Sequence, residues 1–305
     1  MPKRPSPTTF CRAVLTERER AQGGRGVIAS AAPNNPTIMT PETAVPCLEV
    51  RGVSKTFRDG GQVVHALDRV SFAAYPGEFI TIIGPSGSGK STLFNIITGL
   101  TEPDEGEIVL ECGVIRRRAG RVGYMPQRDL LLPWRTVLNN VILGPELDGR
   151  SRREARRRAR ELLPLFGLQG FEDAFPETLS GGMRQRAALL RTFLTDREVL
   201  LLDEPFGALD ALTRRELQRW LLGVWERFRK TILFITHDVE EAVYLADRVL
   251  VFSGRPGRIV KELRVDLPRP RQAISLLSED LRRHEAELLA ALEAANGNHA
   301  TGEAK

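Results

Sequence analysis

Two glycine-rich segments of the chain each stand immediately before a stretch whose apolar spacing predicts a helix. The first is GPSGSGKST at residues 84–92, and the second is LSGGMRQ, which begins at residue 179. The first turn of a helix presents unpaired backbone N–H groups and the positive end of the helix dipole, so each segment is a candidate anion site. The chain therefore either binds two anions separately or supplies two parts of shared sites.

The first segment matches the pattern G-x-x-x-x-G-K-[ST] in the structural context that makes this pattern informative. It follows the apolar run FITII and opens the helical run STLFNIITGL. Glycines let backbone N–H groups approach phosphates without obstruction by a Cβ, while Lys90 would reach the β- and γ-phosphates and Ser91 would bind Mg²⁺. We therefore assign nucleotide binding to the whole loop, which comprises Gly84, Pro85, Ser86, Gly87, Ser88, Gly89, Lys90, Ser91 and Thr92.

Three more candidate residues stand at the ends of apolar runs. Asp203 and Glu204 end VLLLDE, and His237 ends FITH. The carboxyl ends of parallel strands are where open α/β sheets bind ligands, so Asp203 is suited to hold Mg²⁺ and Glu204 to act as general base on an attacking water. The His237 imidazole would hydrogen-bond the γ-phosphate. The alternatives are a pair of surface acids and a structural histidine.

The elements around these residues predict an α/β fold. Continuous apolar strands that alternate with helices indicate a mostly parallel core sheet covered on both faces. The early segments, such as CLEVRGVSKTF and GEIVLECGVI, alternate apolar and polar residues and predict an antiparallel β subdomain. The segment SRREARRRARELLPLFGL predicts an inserted helical subdomain at about residues 132–180. Its arginines either form a solvated face or contact acidic lipid or RNA.

Composition sets the remaining bounds on the chain. No stretch approaches the roughly 18 apolar residues that span a bilayer, and residues 1–46 lack the apolar core of a secretory signal. We interpret residues 1–46 as a disordered extension, 47–267 as the catalytic domain and 268–305 as a C-terminal helix and tail. The three cysteines have no metal-ligand spacing, which favours a reducing, cytoplasmic compartment. The net charge of +5 comes from mixed basic and acidic residues, so it is weak evidence by itself, and we expect no nucleic-acid partner.

The motifs over residues 48–267 resemble the nucleotide-binding subunit of an ABC transporter, a P-loop NTPase. They run in that family's order: an aromatic A-loop residue, Walker A, the Q-loop, the LSGGM signature, Walker B, the D-loop and the H-loop. The resemblance implies that Phe57 stacks on adenine, although a core Phe is the alternative, and that Gln127 joins Ser91 and Asp203 at Mg²⁺. It assigns the signature and D-loop roles in nucleotide binding to Ser180, Gly181, Gly182, Gln185 and Asp210, and catalytic roles to Glu204 and His237. The segment VIRRRAG is shorter than the family's usual insert there.

In this family, two copies or paired ATPase subunits pack head to tail, so that ATP lies between Walker A of one and the signature helix of the other. Each chain would then hold half of two ATP sites. The residues LLPW and THDVEEAVYLADRVLVFSGRPGRIV resemble the importers of nitrate, sulfonate and taurine. That likeness implies an integral-membrane permease, indirectly a substrate-binding protein, and a peripheral position on the cytoplasmic face of the inner membrane. The apolar loop RDLLLPW would receive the permease, unless its leucines pack internally. An exporter ATPase and a soluble ABC ATPase of translation or DNA repair are the alternatives.

Overall fold

The computed structural model describes residues 45–59, 61–110, 113–114, 118–207, 209–271 and 278–297. Nearly all of the predicted N-terminal extension therefore lies outside the described residues, as do residues 115–117 of the short VIRRRAG segment and the tail after residue 297. No helix in the described ranges is long and apolar enough to cross a membrane.

A six-stranded sheet forms the centre of the fold. Its strands are β3 (Phe79–Ile83), β6 (Gly123–Met125), β7 (Val199–Asp203), β8 (Thr231–Ile235), β9 (Arg248–Phe252) and β10 (Ile259–Arg264), in the order β10-β9-β3-β8-β7-β6. All neighbouring pairs are parallel except β10 with β9. Every residue of β3, β7, β8 and β9 is buried, as the continuous apolar runs predict for strands covered on both faces.

A separate four-stranded antiparallel sheet is formed by strands that lie before and after β3 in the chain. It contains β1 (Leu48–Asp59), β2 (Gln62–Ala74), β4 (Glu105–Leu110) and β5 (Gly113–Val114), in the order β2-β1-β4-β5. The alternating burial along β2 agrees with the predicted antiparallel subdomain, in which one face is wetter than the other.

The helices cover the core sheet and build the inserted lobe. They are α1 (Lys90–Thr98), α2 (Val137–Val141), α3 (Leu143–Leu147), α4 (Arg152–Leu162), α5 (Gly181–Phe193), α6 (Ala211–Phe228), α7 (Val239–Leu245) and α8 (Glu279–Gly297). The arginine-rich helix α4 ends at Leu162, well before the end of the quoted helical segment. Leu163, the C-cap, still has helical backbone angles, and Pro164 accounts for the end because it has no N–H with which to continue the helical hydrogen bonds.

Successive side chains of the central strands point into two different cores. Phe79 and Ile83 of β3 join a core with Trp225 of α6, whereas Ile80 and Ile82 join a second core with Phe94 of α1. Because a strand alternates its side chains between the two faces of a sheet, one apolar run supplies both cores. This arrangement fixes the carboxyl ends of β3, β7 and β8 along one edge of the sheet.

Candidate functional site

The glycine-rich loop connects the buried strand β3 directly to helix α1. Gly89 has a φ of +91°, a conformation that favours glycine, and a Cβ on it would lie 2.6 Å from the Ala66 carbonyl oxygen. Helix α1 begins at Lys90 and has no side-chain cap at its N-terminus. The loop thus combines close backbone packing with free N–H groups at a helix start, which suits an anion.

The Lys90 ammonium lies against the loop that precedes it. Its Nζ donates to the carbonyl oxygens of Gly84 (2.9 Å) and Pro85 (2.8 Å) and lies 3.2 Å from Ser88 Oγ. The residue is only 7% exposed. Burial lowers the pKa of Lys90, while the nearby carboxylates of the site act in the opposite direction. The loop therefore holds a partly desolvated cation where phosphates would bind.

Two acidic residues follow one another at the end of β7 but differ in their surroundings. Asp203 is buried and accepts a hydrogen bond from the Ser91 hydroxyl, and burial raises the pKa of its carboxyl group. Glu204 has a φ of +44°, and its backbone N–H donates to the Ile235 carbonyl oxygen at 3.0 Å. Positive φ is uncommon in a residue with a Cβ, and such strained residues cluster at functional sites.

One oxygen of Glu204 is shared by two neighbouring side chains. The Gln127 amide donates from Nε2 to Glu204 Oε2 at 3.3 Å, and His237 Nδ1 lies 3.4 Å from the same oxygen. These three residues come just after β6, β7 and β8, which are neighbours in the sheet. The fold thus places an amide, a carboxylate and an imidazole within hydrogen-bond reach beside the glycine-rich loop.

The oxygen-bearing side chains of this edge fit a magnesium ion. Ser91 and Asp203 are hydrogen-bonded to each other, and Gln127 contacts the neighbouring Glu204. Hydroxyl, carboxylate and amide oxygens are ligands that Mg²⁺ prefers, and it usually takes few protein ligands because phosphates and water supply the rest. Within the described ranges, no group of three or more His, Cys, Asp or Glu side chains is arranged to hold a metal.

The second glycine-rich segment starts helix α5. Ser180 is its N-cap and accepts a hydrogen bond from the Met183 N–H at 3.3 Å, and Asp210 caps α6 in the same way through Thr213 N–H at 3.0 Å. A Cβ on Gly182 would lie 3.2 Å from Thr213 Cγ2, so the two helix starts lie side by side. Gln185 is buried one turn along α5, with its Oε1 unpaired.

The predicted site residues therefore form two groups within one chain. The loop at residues 84–92 assembles with Gln127, Asp203, Glu204 and His237, whereas the signature residues assemble with the start of α6. In the part of the chain that the structure describes, no hydrogen bond or ion pair joins residues 180–182 to the loop at 84–92.

The aromatic and apolar candidates separate into exposed and buried residues. Phe57 lies on β1, is 42% exposed, and has the Lys55 ammonium 5.6 Å from its ring centroid, so it is not a core residue. In the loop RDLLLPW, Leu130 and Trp134 are 58% and 73% exposed, but Leu131 is buried in the core. Leu131 thus packs internally and is not part of an exposed apolar surface.

Sequence reasoning did not single out two arginines that contact these segments. Arg255, in the turn between β9 and β10, donates from Nε to the Gly87 carbonyl oxygen at 3.3 Å. Arg191 of α5 donates to the backbone carbonyl oxygens of Asp129 and Leu130 in the loop after Gln127. Both arginines contact residues more than 60 positions away in the chain. The Pro-Gly pair after Arg255 predicts a turn there, but it does not predict which residues the turn contacts.

Comparison with known proteins agrees with this geometry. The ABC transporter family model matches residues 67–207. A taurine import ATP-binding protein of Rhizobium johnstonii is 47% identical over 209 residues, which are 68% of this chain and 80% of that protein. A formylaminopyrimidine import ATP-binding protein of Halalkalibacterium halodurans is 45% identical over 225 residues, which are 71% of this chain and 88% of that protein.

A solved structure supports the same assignment. The dimeric, post-hydrolysis state of an ATP-binding cassette bound to ADP and Pi aligns with a TM-score of 0.64 and 32% sequence identity. The alignment covers 72% of this chain and all of that chain. The α/β P-loop fold predicted from the sequence is thereby confirmed. With its sequence, fold and nucleotide loop in agreement, this chain belongs to the ABC transporter family as one of its ATP-binding proteins.

Proposed function

We propose that this chain is the ATP-hydrolysing subunit of an ABC importer and that two copies share two nucleotide sites. The observation that carries the proposal is the position of Glu204 Oε2, 3.3 Å from Gln127 Nε2 and 3.4 Å from His237 Nδ1. A carboxylate oriented by an amide and an imidazole, beside a phosphate-binding loop, is suited to act as general base on a water that attacks the γ-phosphate. His237 then orients Glu204 and reaches the γ-phosphate.

The loop at residues 84–92 binds the phosphates through its backbone N–H groups and the Lys90 ammonium. Ser91, Gln127 and Asp203 hold Mg²⁺, which neutralises charge on the phosphates when it is bound. The pKa of Asp203, raised by burial, supports this role, because a cation beside a buried carboxylate offsets the cost of its ionised form. Phe57 stacks on the adenine, and its exposed ring supports that role.

The second glycine-rich segment acts on the nucleotide of the other copy. Helix α5 starts at Ser180, Gly181 and Gly182, beside Asp210 at the start of α6. The two helix N-termini lie side by side and together act on the nucleotide of the other copy. Within one chain, these residues are separate from the loop at 84–92. This separation supports a head-to-tail dimer, in which the second glycine-rich segment of one copy meets the nucleotide bound by the first segment of the other. The dimeric state of the aligned cassette supports the same arrangement.

The import assignment rests on the relatives. Proteins that are 45% and 47% identical to this chain are named for import of formylaminopyrimidine and of taurine. Since such different solutes occur at nearly equal similarity, the solute is chosen by other chains, namely a permease and a substrate-binding protein. The permease docks at the exposed Leu130 and Trp134, which holds the ATPase at the inner face of the membrane.

The first test is the Glu204→Gln variant, which removes the base and keeps the side-chain shape. With saturating ATP and Mg²⁺, light scattering should give this variant the molar mass of a dimer. Without nucleotide, it should give the molar mass of a monomer. The Glu161→Gln variant, altered at an exposed acid that pairs with Arg157, should hydrolyse ATP like the wild type. A Glu204→Gln chain that stays monomeric with ATP would contradict the shared-site proposal.

The second test identifies the membrane partner. A tagged full-length chain is purified from gently solubilised native membranes, and the co-purifying proteins are identified by mass spectrometry. Recovery of a polytopic permease together with a substrate-binding protein is the expected result. Recovery of ribosomal or DNA-repair proteins from the soluble fraction, with no permease, would overturn the importer assignment and leave the ATP site intact.

A further inference from the structure

The turn between β9 and β10, residues 253–258, packs directly against the nucleotide loop. The Gly257 N–H donates to the Ala66 carbonyl oxygen at 2.9 Å, and a Cβ on Gly257 would overlap the Ser88 carbonyl oxygen. Within the turn, Ser253 N–H donates to the Arg258 carbonyl oxygen at 2.9 Å. Arg258 Nε donates to Asp68 Oδ2 at 2.7 Å, which attaches the turn to β2. The turn is thus held in place from both ends.

This rigid turn carries Arg255 to the surface of the nucleotide loop. Arg255 Nε donates to the Gly87 carbonyl oxygen at 3.3 Å, and its Nη2 lies 3.2 Å from the position that a Cβ on Gly87 would take. The residue is exposed. Across the described ranges, no carboxylate forms an ion pair with Arg255, in contrast to its neighbour Arg258. Its two terminal nitrogens are therefore available to an anion from outside the chain.

We infer that Arg255 is a further nucleotide-binding residue, which contacts the phosphates of the ATP held by the loop at residues 84–92. This inference rests on the proposed function. A guanidinium is always charged and presents donors in a fork that matches phosphate oxygens, so its bonds to phosphate are strong. The Gly87 carbonyl accepts a hydrogen bond from Nε, which keeps the terminal nitrogens beside the loop. Arg255 thus adds a second cation to the site beside Lys90.

The test compares the binding of ATP, ADP and adenosine to the full chain by calorimetry. Arg255→Ala should weaken ATP and ADP binding about tenfold and leave adenosine binding unchanged, because only the phosphates lose a contact. Arg255→Lys should recover part of the loss, since it keeps the charge without the fork. The matched control is Arg264→Ala, which removes an exposed arginine of β10 in the same hairpin and should bind all three like the wild type.

Steady-state kinetics and thermal stability distinguish a phosphate contact of Arg255 from a structural role. The KM for ATP should rise in Arg255→Ala while kcat is retained, and the thermal stability without nucleotide should match the wild type. Unchanged ATP and ADP affinity would overturn the inference, as would an equal loss for adenosine accompanied by a lower melting temperature. A wild-type chain that binds no ATP would overturn the proposed function itself.

Discussion

The Arg191 guanidinium, on the helix that begins with the LSGGM signature, donates a 2.7 Å hydrogen bond to the backbone carbonyl of Leu130. It also donates to the carbonyl of Asp129, and burial lowers the pKa of Arg191. Leu130 has a φ of +45°, which is uncommon in a residue with a branched side chain. Arg191 therefore holds the loop after Gln127 in an unfavourable backbone conformation against the signature helix.

Arg191→Met should destabilise the chain and loosen this loop. The change keeps the apolar part of the side chain but leaves two backbone carbonyls without their donor, at a cost of about 1–3 kcal/mol. We expect a melting temperature lower by about 2–8 °C, together with faster proteolysis at residues 128–134. Arg160→Met, at an exposed position of α4, is the control. A melting temperature and a cleavage rate equal to those of the wild type would refute the contact's structural role.

His237→Ala should reduce ATP hydrolysis and preserve ATP binding. The imidazole contacts Glu204 Oε2, and removing it takes away the contact that orients the proposed base. Because the phosphate loop is untouched, we expect kcat to fall by about 10²–10⁴, the range of a lost acid–base function, with an affinity for ATP close to that of the wild type. Single-turnover hydrolysis and calorimetry measure the two quantities. A variant that retains full kcat would remove His237 from the mechanism.

Gly257→Ala should weaken nucleotide binding by displacing the loop. The new Cβ would overlap the Ser88 carbonyl oxygen, so either the turn at residues 253–258 or the phosphate loop must move. Gly223→Ala is the matched control, because Gly223 lies inside α6 with nothing within 4 Å of its Cβ position. That control should be stabilised by up to about 1 kcal/mol through helix propensity. Equal ATP affinity in the two variants, measured by calorimetry, would argue against close packing at Gly257.

Glu241→Gln should stabilise the chain more at pH 8 than at pH 5. Glu241 is buried, accepts hydrogen bonds from Thr236 and Gln218, and has a pKa that burial raises. The folded chain therefore binds this proton more readily than the unfolded chain. The stability that the protonated carboxyl contributes is lost as the pH rises from the ordinary pKa of a glutamate toward the raised pKa of Glu241 in the folded chain. Glutamine does not titrate, so the difference in melting temperature between variant and wild type should grow with pH. A difference independent of pH would contradict the raised pKa.

Cys47 should resist alkylation in the folded chain. Its Sγ lies 3.3 Å from both the Ala74 carbonyl oxygen and Thr231 Oγ1, and burial raises the pKa of Cys47 to about 11. Since the thiolate is the reactive form, iodoacetamide at pH 8 should modify Cys47 only after denaturation in guanidinium. Peptide mapping reads Cys47 separately from Cys11 and Cys112, which lie outside the described residues. Rapid modification of the native chain would show that this thiol is accessible.

The sequence by itself determined the features that depend on neighbours along the chain. The glycine-rich loop between FITII and STLFNIITGL, and the acidic pair after VLLLDE, are readable because a strand end, a turn and a helix start are local events. The end of α4 at Leu162 is local as well, because Pro164 has no N–H with which to continue the helical hydrogen bonds although the apolar spacing goes on.

Only the tertiary structure decided which distant residues meet. Leu130, Leu131 and Trp134 share one apolar segment, yet packing buries Leu131 and exposes the other two. Arg255 reaches Gly87 across 168 positions, and Gln127 reaches Glu204 across 77. Such contacts depend on the order and register of β9-β3-β8-β7-β6, which bring the strand ends to one edge of the sheet. No local pattern encodes these distances, because they arise from burying both faces of one sheet at once.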